Sequence, residues 1–449
     1  LFCGCQTSCR RAEVVERRLS MPSPARRGGS QQHAPAITAA ALALRFALVA
    51  VASIIDAYKP LGLRYTDVDY DVLKDGARAM VQGGSPFQRA TYRYSPLVSY
   101  PLLLDVKTGL PLAKLLFCLM DVLLGDAMGQ LASHRGASSH VRLLWLFNPI
   151  SIVLCTRGSW DAVSVYLVLK ALLSKRAPVQ AGLLLGLATH LRLYPVIYAA
   201  PFLYNLCFEA RRRITWGRAL AFGLAFASGL LGPTLYAYHT YGNVYVEEAL
   251  LFHLRRADHR HSFSVFWLPI YLSRALQDSR LNLLLKLAPF AAHVVLQAAS
   301  LVALKDDIDK CALAQTLLFV AANKVCTAQY FLWWLPLLLV VVDDWRLILR
   351  PLRNWVLSCG LWLVVAYGLE FRGLPVHMLL WGCSLLFFRA NVDLLISAVS
   401  SPPPEAKAPP QVRVSSIVEE TDSWTDDGDT DEDVDDEDPG EASGFSLKL

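Results

Sequence analysis

Long apolar runs separated by short charged intervals dominate the chain. A spanning helix needs about 20 mostly apolar residues. Windows at 37–56, 111–131, 141–157, 160–174, 179–207, 217–240, 282–304, 311–342, 355–369 and 374–388 meet or approach that length, with shorter candidates near 94–104 and 263–277. The pattern predicts about ten to thirteen transmembrane helices. Pro195 and Pro201 in one window and Pro336 in another predict kinks or splits, because proline lacks the backbone donor and crowds the preceding turn.

Composition agrees. The 449 residues are 54% hydrophobic and 18% charged, with mean hydropathy +0.36, and the charges gather between apolar runs where a soluble domain would scatter them. The fold class is therefore an all-α polytopic membrane protein. The net charge of +5 conceals an asymmetry: residues 1–400 hold forty Lys/Arg against twenty-three Asp/Glu, whereas 419–441 carries fourteen acidic side chains and no basic one. The 401–449 segment opens on "SPPPEAKAPP" and has too little apolar surface to offset the entropy of ordering it, so it reads as a disordered acidic tail with no chemistry assigned.

Residues 1–36 form a basic N-terminal segment, and "MPSPARRGGSQQHAP" from Met21 makes a plausible start, leaving residues 1–20 a candidate gene-model extension. Three of the ten cysteines, Cys3, Cys5 and Cys9, lie there; the others are dispersed without a CxxC pair and imply neither zinc nor a disulfide framework. Arg10, Arg11, Arg17, Arg18, Arg26 and Arg27 precede the first apolar run, which marks that side as cytosolic. That run is longer than a signal-peptide core and shows no small-residue cleavage site. It opens a multi-span body, 37–390, whose first loop, 57–95, faces the far side, the lumen if the membrane is the endoplasmic reticulum.

That loop holds the candidate chemistry. "TDVDYDVLKDGARAMVQGGSPFQRATYRYSPL", residues 66–97, contains four aspartates. In an extended chain Asp67, Asp69 and Asp71 share a face; in a helix Asp67, Asp71 and Asp75 do, and Asp69 points elsewhere. Either cluster raises the pKa of at least one member, suiting it to accept a proton from a hydroxyl. An Asp-x-Asp pair could instead hold a divalent cation against a phosphate, and a solvated loop is the plain alternative. Arg89 and Arg93, four apart and on one face if helical, interleave with Tyr92 and Tyr94 in a way that suits an anionic headgroup.

Charges and histidines recur at the edges of later runs: His190 and Arg192 in "GLATHLRLYPVIYAAP", then His253, Arg255, Arg256, His259, Arg260 and His261 in "FHLRRADHRHSFS", then Lys324 and Gln329 in "ANKVCTAQYFLWWLP". Ionisable groups at membrane depth are costly and mark functional sites, although Arg and Lys at helix ends also snorkel to the interface. The aromatic run "QYFLWW" has an interfacial anchor as its alternative reading.

Five blocks, "YTDVDYDVLKDGARAMVQGGSPFQRATYRYSPL", "NPISIVLCTRGSWDAV", "GLLLGLATHLRLYPVIYAAP", "HLRRADHRHSFSVFWLPIYL" and "NKVCTAQYFLWWLPLLL", occur in the order seen in the catalytic subunit of glycosylphosphatidylinositol mannosyltransferase I, the PIG-M type. The chain resembles that family over about residues 40 to 390. The resemblance implies a GT-C-like multi-span glycosyltransferase of the endoplasmic reticulum membrane, its catalytic loop lumenal. Such an enzyme moves the first mannose from dolichyl-phosphate-mannose onto the glucosamine of GlcN-phosphatidylinositol through an α-1,4 bond. It implies a small membrane accessory subunit and places the family's DxD on Asp67 and Asp69.

A β-linked donor and an α-linked product require inversion by one in-line displacement through an oxocarbenium-like transition state. Asp67 or Asp69 is then the base. Arg89, Arg93, Arg192, Arg255, Arg256 and Arg260 are candidates for the leaving phosphate, with Lys324 and Gln329 behind them and His190, His253, His259 and His261 as further substrate contacts. A lipid monophosphate can be met by arginines alone, so no metal or other cofactor is expected to be obligatory. The acidic tail and residues 1–20 depart from the family pattern. A related dolichol-dependent mannosyltransferase and a lipid or ion transporter are the competing readings. No internal repeat supports transport, and no recognition signature supports nucleic-acid binding.

Overall fold

The computed structural model describes residues 34–59, 64–137, 140–208, 215–256, 262–276, 279–342 and 344–401. The basic N-terminus up to 33, His259, Arg260, His261 and the acidic tail beyond 401 lie outside the described residues. Among the described residues the fold is all helical, with no β-strand, as the apolar runs require when no water is present to satisfy backbone groups. Among the described residues six helices, against the ten to thirteen expected, are long and apolar enough to cross a membrane: Pro35–Tyr58, Leu112–His134, Trp216–Tyr241, Leu283–Leu304, Trp345–Arg372 and His377–Val399.

The other windows form shorter pieces. Residues 141–157 divide at Asn148 into His140–Leu146 and Pro149–Thr156, and 160–174 becomes Asp161–Leu173. The 263–277 candidate is the helix Trp267–Leu276, whose ten residues rise only about 15 Å. The 94–104 candidate is also too short, forming Pro96–Ser99 and Leu102–Thr108. Both therefore fall short of spanning length.

Of the two proline expectations, one holds and one is displaced. The 179–207 window breaks between Pro178–Leu191 and the 3-10 turn Tyr194–Tyr198 that contains Pro195, then continues as Ala199–Cys207. In the 311–342 window Pro336 sits inside the helix Phe331–Val341, and the chain instead opens at 322–327, after Ile308–Ala321. The opened backbone is satisfied from another segment: Phe263 N donates to Cys326 O at 2.9 Å and Cys326 N donates to Ser262 Oγ at 3.1 Å. Irregular backbone at this depth persists only where protein supplies such partners.

Every residue of Phe331–Val341 is buried, which makes it the central helix. Around it pack Leu112–His134, Asp161–Leu173 and Ile308–Ala321. Trp333 and Trp334 are both inside, so the aromatic run is core and not an interfacial anchor. Helix Pro178–Leu191 lies against Trp216–Tyr241 at a separation only glycine allows: a Cβ at Gly186 would stand 2.2 Å from Phe226 O. Two sets of buried charges within the membrane body are paired. Arg45 and Asp121, both fully buried, meet at 2.7 Å, and Arg135 joins Asp307 and Asp309 at 2.9 Å each.

Candidate active site

The first loop folds as a helix, Val68–Val81, with Asp67 as its N-cap: Asp67 is extended and its Oδ1 accepts from Asp69 N at 3.0 Å. Tyr70, Leu73 and Ala77 form the buried stripe of that helix. The segment is helical from Val68, but the grouping expected of a helix does not form: Asp67 caps the helix from outside it and meets Asp69, while Asp71 and Asp75 lie apart from both. Asp71 pairs with Arg64 at 2.7 Å and Asp75 with Arg78 at 2.7 Å, both on the outer side.

Gln329, far along the chain, closes the pair from the other side. Its Nε2 donates to Asp67 Oδ2 at 3.1 Å and to Asp69 Oδ2 at 3.2 Å. Asp67 N in turn donates to Arg157 O at 3.0 Å, in a turn made possible by Gly158. At Gly158 φ is +98°, and a Cβ would lie 2.5 Å from the Tyr70 ring, so glycine alone lets the 157–160 turn nest under the loop helix. Burial, and after it the neighbouring charge of Asp69, raise the Asp67 carboxyl above its ordinary value.

Beside the pair lies a cavity of about 710 Å³ bordered by Tyr94, His190, Arg192, His253, Arg256, Lys324 and Tyr330. Asp69 acts electrostatically on Tyr94 and Arg192 at its edge; burial and then the Asp69 charge push the Tyr94 hydroxyl well up. The opposite wall is apolar and partly open, with Val196, Leu287, Phe290 and Val294 each about half exposed or more.

Arg192, Arg93, His253 and His190 at the cavity are each held by defined partners. Arg192 meets fully buried Asp161 with Nε to Oδ1 at 3.0 Å and Nη2 to Oδ2 at 3.0 Å, and lies 4.2 Å above the Trp160 ring. Trp333 Nε1 and Ser159 Oγ also donate to Asp161, each at 2.9 Å. Arg93 pairs with Glu248 and lies 4.2 Å over Phe252. His253 Nε2 shares a hydrogen bond with Arg93 O at 2.9 Å, and burial lowers its pKa to about 4, so it is neutral. His190 shares hydrogen bonds with Ser95 Oγ at 2.7 Å and Thr234 Oγ1 at 2.9 Å, which ties the first loop to two membrane helices.

The sequence-predicted residues thus separate. Asp67, Asp69 and Gln329 come together; Arg93, His190, Arg192, His253, Arg256 and Lys324 line the adjoining cavity. Arg89 stands apart, half exposed and 3.5 Å from Asp75. It shares no helical face with Arg93, because residues 89–95 are irregular between the short turns Pro86–Gln88 and Pro96–Ser99. Arg255 ends the short helix Phe252–Arg255. Sequence reasoning missed Asp161, Trp333 and Glu248. Asp161 had a readable signal, an acidic residue opening an apolar run in "GSWDAV".

The description "Mannosyltransferase (PIG-M)" belongs to a family whose model matches residues 154–399. The chain belongs to this family. Among similar proteins, "GPI alpha-1,4-mannosyltransferase I, catalytic subunit" from Danio rerio is 39% identical over 376 residues, covering 80% of this chain and 95% of the relative. "GPI mannosyltransferase 1" of Trypanosoma brucei brucei is 35% identical over 78% of this chain and 90% of its own length, and that of Saccharomyces cerevisiae 34% identical over 79% and 91%. The PIG-M family match embraces Asp161, Arg192, His253, Arg256, Lys324 and Gln329. This chain is a membrane-embedded mannosyltransferase.

Proposed function

We propose that the protein transfers the first mannose of the glycosylphosphatidylinositol anchor, in α-1,4 linkage, from dolichyl-phosphate-mannose to GlcN-phosphatidylinositol at the lumenal face of the endoplasmic reticulum membrane. The names of relatives that align over most of their length support the acceptor and linkage. The single observation that carries the mechanism is the carboxylate pair bridged by Gln329 beside a cavity that is cationic on one side and apolar on the other.

In this reading the polyprenyl chain leaves along Val196, Leu287, Phe290 and Val294, and the donor phosphate meets Arg93, Arg256 and Lys324. The acceptor hydroxyl oxygen attacks the anomeric carbon as the bond to the phosphate oxygen breaks. The electron pair leaves with the phosphate, where guanidinium and ammonium donors stabilise it. The hydroxyl proton passes to the carboxylate pair, Asp69 being the member toward the cavity and Asp67 the member that positions it; the two titrate together. Arg192, held by Asp161, keeps Tyr94 and Trp160 in place at the edge. By sequence, Arg255, Arg260, His259 and His261 add to the set of substrate contacts, and a small membrane subunit accompanies the chain.

No metal is required in this reading. The groups meeting Asp67 and Asp69 are the Gln329 amide, the Asp69 backbone N–H, the Tyr94 hydroxyl and, 3.9 Å from Asp67, the Arg157 guanidinium, all of them donors that satisfy carboxylate oxygens directly. The test is a microsomal assay with radiolabelled dolichyl-phosphate-mannose and GlcN-phosphatidylinositol, with the accessory subunit co-expressed. Mannosylation that persists in chelator and is lost in Asp67→Ala or Asp69→Ala at matched protein level is expected. Full activity in both variants would remove the carboxylates from the mechanism, and dependence on added Mn²⁺ or Mg²⁺ would overturn the metal-free step.

A further inference from the structure

A second cavity, of about 610 Å³, lies among helices Trp267–Leu276, Trp345–Arg372 and His377–Val399. It adjoins the first across one wall. Asn323, Lys324, Val325 and Tyr330 border the first cavity, whereas Ala328, with Ser262 and Phe263 opposite, borders the second. The wall is fixed by the bonds between 262–263 and Cys326 and by Ser264 Oγ donating to Asn323 O at 2.5 Å. Gln329, the residue that grips Asp67 and Asp69, is part of this wall between Ala328 and Tyr330.

The two cavities differ in chemistry. Arginines and a lysine border the first, while the charged side chain of opposite sign at the second is Glu370. Tyr271 and His377 stack there at 5.6 Å and 25°, beside Tyr367. Glu370 stands in the last turn of Trp345–Arg372, where a carboxylate opposes the helix dipole and gains no stability from it. Glu370 is exposed and borders the cavity, so its carboxylate is accessible to a ligand seated there. Aromatic faces cover the apolar face of a sugar ring, and a carboxylate receives charge-assisted hydrogen bonds from an ammonium.

A displacement between two lipid-linked sugars brings both to the base, and Gln329, in the wall between the two cavities, contacts that carboxylate pair. We propose that the second cavity binds the acceptor's head group, an aminohexose on a lipid, with Glu370 pairing its ammonium and Tyr271, Tyr367 and His377 covering the ring. This rests on the transferase reading above and adds where the acceptor sits and what selects it.

The test measures microsomes carrying the full chain against two acceptors, GlcN-phosphatidylinositol and its N-acetylated counterpart. Glu370→Gln should raise KM for the amino acceptor about tenfold, the size expected for a lost charged hydrogen bond. It should narrow the preference for the amine and leave KM for dolichyl-phosphate-mannose unchanged. Tyr271→Ala should raise KM for both acceptors alike. An active wild type with acceptor KM unmoved in both variants, or a donor KM that moves instead, would overturn the proposal alone. Wild-type microsomes that mannosylate neither acceptor would remove the transferase reading and this proposal with it.

Discussion

The side-chain amide of Gln329 donates to Asp67 at 3.1 Å, joining a residue that opens the central helix to the N-cap of the first-loop helix. The same Nε2 reaches Asp69 at 3.2 Å, so one donor sets the spacing of both carboxylates. Gln329→Ala removes hydrogen bonds to charged groups worth about 1.5–3 kcal/mol each. We expect mannosyl transfer to fall about 10- to 100-fold in microsomes at equal protein level. Gln329→Glu places a third carboxylate against the pair and is expected to fall further than the alanine variant.

Asp67 occupies its position at a cost to stability. Its folded pKa is raised by burial and by Asp69, so its contribution to stability is present below the unfolded pKa and lost as pH rises through the folded one. At neutral pH the ionised form is therefore held against burial. Asn keeps the capping acceptor and removes the charge. Asp67→Asn should leave thermal stability in detergent at pH 7 unchanged or raised by up to about 1 kcal/mol, while transfer falls by about 100-fold or more. A marked drop in melting temperature would contradict this. In the wild type, activity should fall on acidification with a limb above the ordinary Asp value of about 3.9.

How far these residues could be read from the chain depended on locality. Asp67, Asp69 and Gln329 stand in blocks whose charges interrupt apolar runs, and that interruption was legible. Their meeting was not, because it depends on an opening at 322–327 that contains no proline and is stabilised by partners at 262–264. Pro336 misled for the converse reason: neighbouring helices surround it on all sides and the helix continues through it. Arg93 and Arg192 were legible as cations at a boundary, and Asp161 as an acid opening an apolar run, whereas the pairing of these arginines with Glu248 and Asp161 is set by tertiary packing.

The Asp161–Arg192 pair gives a third prediction. Removing one member of a buried, hydrogen-bonded pair leaves an uncompensated charge, a loss of about 3–5 kcal/mol. Asp161→Ala is thus expected to lower steady-state protein sharply. Arg192→Lys keeps the charge but not the two-point contact. It should accumulate better than Asp161→Ala yet lose transfer activity, since Lys cannot lie over Trp160 while meeting both carboxylate oxygens. Equal abundance of the two variants by immunoblot would argue against this account.

The last prediction concerns the packing that carries His190 to the cavity. Gly186 faces Phe226 so closely that an added Cβ would stand 2.2 Å from the carbonyl oxygen, and backbone cannot swing aside as a side-chain tip can. Gly229 answers from the other helix, with 2.5 Å to Leu183 O. Any side chain at Gly186 must separate the helices, and with them the His190 to Thr234 hydrogen bond at 2.9 Å. Overpacking of this kind costs about 1–3 kcal/mol. Gly223 lies on the same helix as Gly229, and a methyl group added there would meet nothing within 4 Å. Gly186→Ala should therefore lower the thermal denaturation midpoint and transfer activity together, while Gly223→Ala leaves both unchanged. Equal midpoints for the two variants would mean that this close approach does not hold the helices in place.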